Sequence, residues 1–205
     1  MTGPDRIPLF PLNVVLLPGA ELPLHIFEPR YRRMVKHCLE RRSPFGVLLV
    51  LARGTAHVGC TAEITGVVKR YNDGRLDILT RGRDPFRVTE LFTEDPLLEG
   101  TVEYLEDRDS SPEPACSRQM VELYEACHTL LFGDYPRDID EDAPGLAYAL
   151  AARLPMDLLW KQQILELRDE SARRERLFHF LREWAPHLQR SSNLKRRAAG
   201  GGGLN

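Results

Sequence analysis

Hydrophobic positions are densest in the opening run from Ile7 to Arg33, IPLFPLNVVLLPGAELPLHIFEPRYRR. Ile7 to Phe10 and Val14 to Leu17 are short apolar runs bounded by Pro11 and by the Pro18-Gly19 pair, which are strand and turn signals. In Leu22 to Phe27, Leu22, Leu24 and Ile26 fall on one side of a pleat and Pro23, His25 and Phe27 on the other. Both faces are mostly apolar, which predicts a strand covered on both sides. Glu28-Pro29 predicts a helix start, since Pro is tolerated at the first helical position and an acidic side chain opposes the positive end of the helix dipole. Tyr31, Met34, Val35, Cys38 and Leu39 follow at helical spacing, with Arg30, Arg32, Arg33, Lys36 and Glu40 between them.

The alternation then changes to strand-like. Phe45 to Ala52 is a near-continuous apolar strand, and Gly54 to Gly59 is a loop. Cys60 to Tyr71 and Arg75 to Thr80 flank Asn72-Asp73-Gly74, a hairpin turn by composition because these residues tolerate positive φ. Phe86 to Phe92 and Leu97 to Leu105 supply two more strands. Short strands, hairpin turns and one early helix predict an α+β chain built on a closed or nearly closed antiparallel barrel.

A charged stretch containing Ser and Pro, Glu106 to Glu113, interrupts the pattern. Helical periodicity follows in Arg118 to Phe132, Gly145 to Leu154, Met156 to Leu167 and Ser171 to Leu188, with an acidic loop, Gly133 to Ala143, between the first two. The expected organisation is a barrel domain over 1–106, a linker over 107–113, a helical bundle over 114–188 and a flexible tail over 189–205. The glycine-rich end cannot bury enough surface to order itself. The basic cluster Lys195-Arg196-Arg197 precedes it.

The run FPLNVVLLPGAELPLHIFEPRY resembles the signature of the LON N-terminal, substrate-binding domain, the module that begins bacterial Lon proteases and also occurs in cereblon and in short stand-alone bacterial proteins. FPL, an apolar strand, PG and LPLHIFEPRY stand in the family's order and at its spacing. Phe45 to Leu51, Gly54-Thr55, Gly59 to Ile64, the Asn72-Asp73-Gly74 turn and Thr80-Arg81-Gly82 leading to Phe86-Arg87-Val88 agree with it. The resemblance covers about Pro8 to Glu106 and, more weakly, the helical region to about Pro186. It implies a pseudo-β-barrel of PUA-like shape, a following helical bundle, and recognition of polypeptide. Asp84-Pro85 and the long acidic loop depart from the family's pattern.

Composition adjusts this picture little. The 205 residues are 42% hydrophobic and 28% charged, enough for one domain with a real core or two small ones. A net charge of -2 gives no global attraction to nucleic acid or an anionic membrane. No run is long enough to span a bilayer and no signal sequence opens the chain, so a soluble, cytoplasmic protein is expected. Cys38, Cys60, Cys116 and Cys127 lack CxxC spacing, as suits a reducing compartment. His57 with Cys60, and His37 beside Cys38, do not provide the four convergent ligands of a closed zinc site, so no metal and no cofactor are expected.

Catalytic signatures are missing from these residues. There is no GxxxxGK[ST], no GxSxG and no HExxH, and none of the four lysines, Lys36, Lys69, Lys161 and Lys195, accompanies a serine in the setting of the Lon Ser-Lys dyad. The expectation is therefore a non-catalytic binding module for unfolded or partner polypeptides, with an ATP-dependent protease acting in trans as a further partner. Candidate peptide-binding residues are the apolar turn Leu16, Leu17, Pro18 and Gly19 with Glu28, Arg30 and Tyr31 at the helix start. The same residues also suit a conformational role: Leu16, Leu17 and Tyr31 as core, Pro18-Gly19 as turn, Glu28 and Arg30 as a helix-end tie. Adaptor or scaffold use for one dedicated partner is an alternative. Another is RNA binding, which requires Arg81, Arg83 and Arg87 to join Arg30, Arg32, Arg33 and Lys36 in one positive surface.

Overall fold

Among the described residues the elements are β1 (Asp5–Leu12), β2 (Glu21–Ile26), α1 (Pro29–Arg41), β3 (Phe45–Leu49), β4 (Val58–Arg70), β5 (Leu76–Phe92), β6 (Glu99–Tyr104), α2 (Pro114–Phe132), α3 (Leu146–Arg153), α4 (Leu158–Glu166) and α5 (Glu170–Gly200). The computed structural model describes residues 5–93, 96–108, 114–136 and 139–200. The chain divides into two compact units, Met1–Asp107 with Pro155–Arg168, and Arg108–Leu154 with Asp169–Asn205. This differs from a single cut near residue 106. Residues 155–168 return to the strand unit because α4 packs on β4, where Gln162 Nε2 donates to the Val58 carbonyl at 3.0 Å, and because Arg168 Nη1 donates to the Leu105 carbonyl at 3.0 Å.

The first unit holds one six-stranded sheet in the order β2-β5-β4-β3-β1-β6, with β5 also pairing β6. It is mixed, not wholly antiparallel as expected. β1 and β3 run parallel, with Leu9 opposite Gly46 and Leu12 opposite Leu49. Because β2 and α1 intervene between them, the chain returns to the sheet in the same direction, as a crossover connection requires.

The two strands expected at 75–80 and 86–92 are one 17-residue strand, β5. Over Leu76 to Arg81 it pairs β2, and over Phe86 to Phe92 it pairs β6, while β4 runs along its other edge. Between these stretches lie Gly82 and Pro85. β2 is thus an edge strand, and Phe27 just beyond it is 59% exposed, contrary to the expectation of cover on both faces.

Val14 to Leu17, expected as a strand, has no strand partner. It is a loop whose Val15, Leu16 and Leu17 are buried, ending in a turn that docks on β5. Gly19 N–H donates to the Gly82 carbonyl at 2.9 Å, Gly82 N–H donates to the Ala20 carbonyl at 2.9 Å, and Gly19 sits at φ +78°. A side chain at Gly82 would stand 2.3 Å from the Leu17 carbonyl oxygen, so the close approach requires glycine there.

In the second unit α2 and α5 pack together, burying Met120, Val121, Tyr124 and Cys127 of α2 and Leu177 and Leu181 of α5. Its polar centre is Glu170, whose carboxylate accepts from Arg173 Nε at 2.9 Å, Arg174 Nε at 2.8 Å and the Ala147 N–H at 3.2 Å. Arg174 continues to Ser117 Oγ at 2.7 Å and the Ala143 carbonyl at 3.0 Å, fixing the end of the acidic loop. α5 remains helical through Gly200, where a flexible end was expected from residue 189. Ala198 and Ala199 favour continued helix. Residues 201–205 lie outside the described set. Among the described residues no helix is long and apolar enough to cross a membrane.

A side chain at Gly46 would meet Leu9 Cδ2 and Phe86 Cζ, both at 2.6 Å. Gly46→Ala is therefore expected to cost about 1–3 kcal/mol by overpacking, and less in a Phe86→Leu background, where the shorter side chain removes the Phe86 clash and leaves that with Leu9. Urea denaturation of the four members of this cycle measures it. Additive costs would show that the two positions do not compete for volume.

Candidate functional site

Helix α1 begins where Glu28, in extended backbone, meets Pro29. The Glu28 side chain makes no cap hydrogen bond. Its carboxylate instead pairs with Arg30 at 2.8 Å, so it acts as a tie for that arginine rather than as a helix cap. Tyr31, Met34, Val35 and Cys38 form the buried face. The Tyr31 ring stacks on Phe10 with centroids 3.9 Å apart, and burial pushes its phenol above the ordinary value while Arg30 opposes the rise.

This geometry distributes the seven candidate peptide contacts unevenly. Leu16, Leu17 and Tyr31 are buried, Leu17 at 1% exposure, and serve as core. Pro18 is half-buried and Gly19 is exposed at the turn. Glu28 and Arg30 engage each other, and Arg30 Nη1 reaches the Pro96 carbonyl at 3.4 Å. The seven thus fall into three environments: buried core, an exposed turn and the Glu28–Arg30 pair.

A concave site lies instead along the solvated side of α1. A groove of about 700 Å³ runs between this helix and the β4–β5 hairpin. Its apolar lining comes from Pro29, Leu39, Tyr71 and Leu76, and its rim from Arg32, Arg33, Lys36, Arg70 and Glu40. Helical periodicity explains the helix side, because Arg32, Lys36, Leu39 and Glu40 recur at three- and four-residue intervals and so share one face. The hairpin is held to the helix by Arg32, whose Nη1 donates to the Asp73 carbonyl at 2.6 Å. The turn itself closes with Tyr71 N–H to the Arg75 carbonyl at 3.0 Å and Gly74 at φ +84°.

Tyr71 links the groove to an outer polar network. Its hydroxyl donates to Asp77 Oδ2 at 2.8 Å, and Asp77 Oδ1 lies 2.5 Å from His25 Nδ1. Hydrogen bonds from His25 and Tyr71 hold the Asp77 carboxyl below the usual aspartate value, with the charge of Lys69 adding to the effect. Lys69 and Arg75 both lie over the Tyr71 ring, at 4.5 and 4.9 Å from its centroid. The sequence alone did not reveal this grouping. The hairpin turn was legible, but its juxtaposition with α1 is a tertiary contact.

The other arginines are differently employed. Arg81 pairs with Glu21 at 3.1 Å, Arg83 pairs with Glu63, and Arg87 faces Glu103 at 3.8 Å. Each therefore has a carboxylate opposite it, and this strand presents alternating charge rather than the continuous positive stripe that nucleic acid requires. The side chains of Lys195, Arg196 and Arg197 lie outside the described residues.

No serine, cysteine or histidine lines the groove. Cys38, Cys60 and Cys127 are buried free thiols. Burial pushes all of them up, Cys127 to about 11, which disfavours the reactive thiolate. Among the described residues no group of three or more His, Cys, Asp or Glu side chains could hold a metal ion.

The sequence model of the ATP-dependent protease La (LON) substrate-binding domain matches residues 6–183. A crystal structure of a Lon N-terminal domain protein from Xanthomonas campestris superposes with a TM-score of 0.70 at 32% identity, covering 85% of this chain and 98% of that one. The N-terminal domain of Mycobacterium avium complex Lon protease shares the fold at 18% identity and a TM-score of 0.63, covering 89% of this chain and 98% of that one. Among curated proteins, Lon protease of Parabacteroides distasonis is 27% identical over 86% of this chain and 24% of its own length. Protein cereblon of Gallus gallus is 32% identical over 50% of this chain and 24% of its own. The chain thus spans about a quarter of the length of these curated relatives.

The Asp77 network gives a pH signature. A carboxyl with a lowered folded pKa contributes stability that is present above its ordinary value, near 3.8, and is lost as pH falls through the lowered one. The melting temperature of the wild type is expected to exceed that of Asp77→Asn at neutral pH, with the gap closing below about pH 4. A gap that stays constant to pH 2 would show that the Asp77 charge makes no contribution.

Proposed function

Because the chain belongs to the ATP-dependent protease La (LON) substrate-binding domain family, we propose that it is a non-catalytic module that binds polypeptide. Exposed apolar segments of unfolded or partner proteins are the ligand class. The single observation that carries this reading is the α1–hairpin groove: a concave site with an apolar lining and polar rim, the form that binding sites usually take, on a chain whose family match covers residues 6–183. The sheet pairing that returns from β6 to β5 supports reading the first unit as the family's pseudo-barrel, with β2 appended at its edge.

In this reading the chain delivers or holds its ligand for an ATP-dependent protease acting in trans, and itself performs no hydrolysis. The similarity to cereblon supports adaptor use of the same module. Work in the cytoplasm suits the free buried thiols. RNA binding ranks below polypeptide binding because Arg81, Arg83 and Arg87 are opposed by carboxylates.

An array of peptides spanning unfolded proteins tests the reading, with structured RNA as competitor at near-physiological salt. Apolar and aromatic peptides are expected to be retained irrespective of RNA, with no ATP or casein hydrolysis by the purified protein. Salt-sensitive RNA capture without peptide retention would replace this reading with nucleic-acid binding.

A further inference from the structure

The charges around the groove are unbalanced. Its lining includes four cationic side chains, Arg32, Arg33, Lys36 and Arg70, against one carboxylate, Glu40. Glu40 already lies 3.9 Å from Lys36, and Arg32 is held by the Asp73 carbonyl. Arg33 and Arg70 are exposed, and no acidic side chain among the described residues pairs with either. This contrasts with Arg81, Arg83 and Arg87, each of which has its carboxylate. Between the charged rims lie Leu39, the buried Leu76 and the Tyr71 ring.

A cationic rim around an apolar floor fits a ligand that carries both characters. Resting on the polypeptide-binding reading above, we propose that the α1–hairpin groove selects acidic segments: an extended chain seats an apolar side chain over Leu39 and Leu76 and directs flanking carboxylates to Arg33 and Arg70. The 13 residues of α1 span about 20 Å, a length matched by roughly six extended residues. Arginine is suited to this task, since its guanidinium meets a carboxylate in a planar, two-bond geometry. An RNA strand would find phosphate partners here too, but on β5 beyond the groove Arg81, Arg83 and Arg87 each face a carboxylate.

Fluorescence polarisation with labelled octapeptides in the full chain tests the proposal. The probes are an octapeptide with two leucines between runs of glutamate, its lysine counterpart, an uncharged counterpart with serine in place of glutamate, and a single-stranded oligonucleotide. The glutamate peptide is expected to bind most tightly and to lose about tenfold or more in affinity in Arg33→Glu/Arg70→Glu. The control Arg53→Glu/Arg108→Glu changes the net charge equally at exposed positions outside the groove and should leave binding unchanged. If the reversed pair fails to fold, Arg33→Gln/Arg70→Gln is expected to give a smaller loss in the same direction. Equal binding of glutamate, serine and lysine peptides, or binding unaffected at Arg33 and Arg70, would overturn acidic selection while leaving polypeptide binding intact. Binding of the oligonucleotide alone would overturn both.

Discussion

The ring of Phe86 occupies space that side chains at two other strands would need. Cβ atoms at Gly46 in β3 and Gly59 in β4 would stand 2.6 and 2.7 Å from its Cζ, so three strands close on one aromatic ring only because two of them carry glycine there. Ile7, Leu9, Leu48 and Val102 complete the cluster, drawing in β1 and β6. Interiors are packed too densely for such a contact to be adjusted freely. With Phe86 fixed, β5 is fixed at the point where its outer edge passes from β2 to β6, and Gly82 lies where the apolar turn can dock. On the other face of β1 from Leu9, Phe10 lies near both Phe45 and Tyr31 and so meets the first helix. The Phe10–Tyr31 contact seats α1 on the sheet, and the Arg32 bond to the Asp73 carbonyl ties the hairpin beside it, which leaves the groove between them.

Arginine has at least three distinct uses in the molecule. In the second unit Arg173 and Arg174 are buried and share Glu170 while also meeting neutral acceptors, an arrangement in which removal of the carboxylate leaves buried charge uncompensated. On β5, exposed arginines face carboxylates on neighbouring strands, where solvent makes each pair worth little and the main consequence is local charge balance. Around the groove, Arg33 and Arg70 extend into solvent beside apolar surface. Composition and net charge distinguish none of these environments. Their functional difference arises from where the backbone places an acidic neighbour.

Local chemistry made much of the fold legible. Pro29 and the spacing of Tyr31, Met34, Val35 and Cys38 identified α1, and Asn72-Asp73-Gly74 identified the hairpin that forms the groove's other wall. Apolar clustering was less reliable where burial came without strand pairing. Val14 to Leu17 looks like a strand because it is buried, yet its turn is held by backbone bonds to Gly82. The reverse happened at Leu22 to Ile26, which is apolar on both faces but lies at a sheet edge. The parallel β1–β3 pair, the return of α4 to the strand unit and the bond from the Ala147 N–H to Glu170 depend on long-range contacts that no short window contains. The candidate site followed the same division: the signature run resembles the LON substrate-binding domain, but several of its residues are core, while the groove lies between two stretches separated in sequence.

Photocrosslinking of a bound peptide is the most direct test of where that binding occurs. A leucine–glutamate peptide carrying a photoreactive apolar residue, irradiated with the full chain and mapped by mass spectrometry, is predicted to attach within residues 29–40 and 70–76, on the two walls of the groove. Crosslinks concentrated at the Leu16–Gly19 turn or on the second unit, with both groove walls unlabelled, would contradict the account.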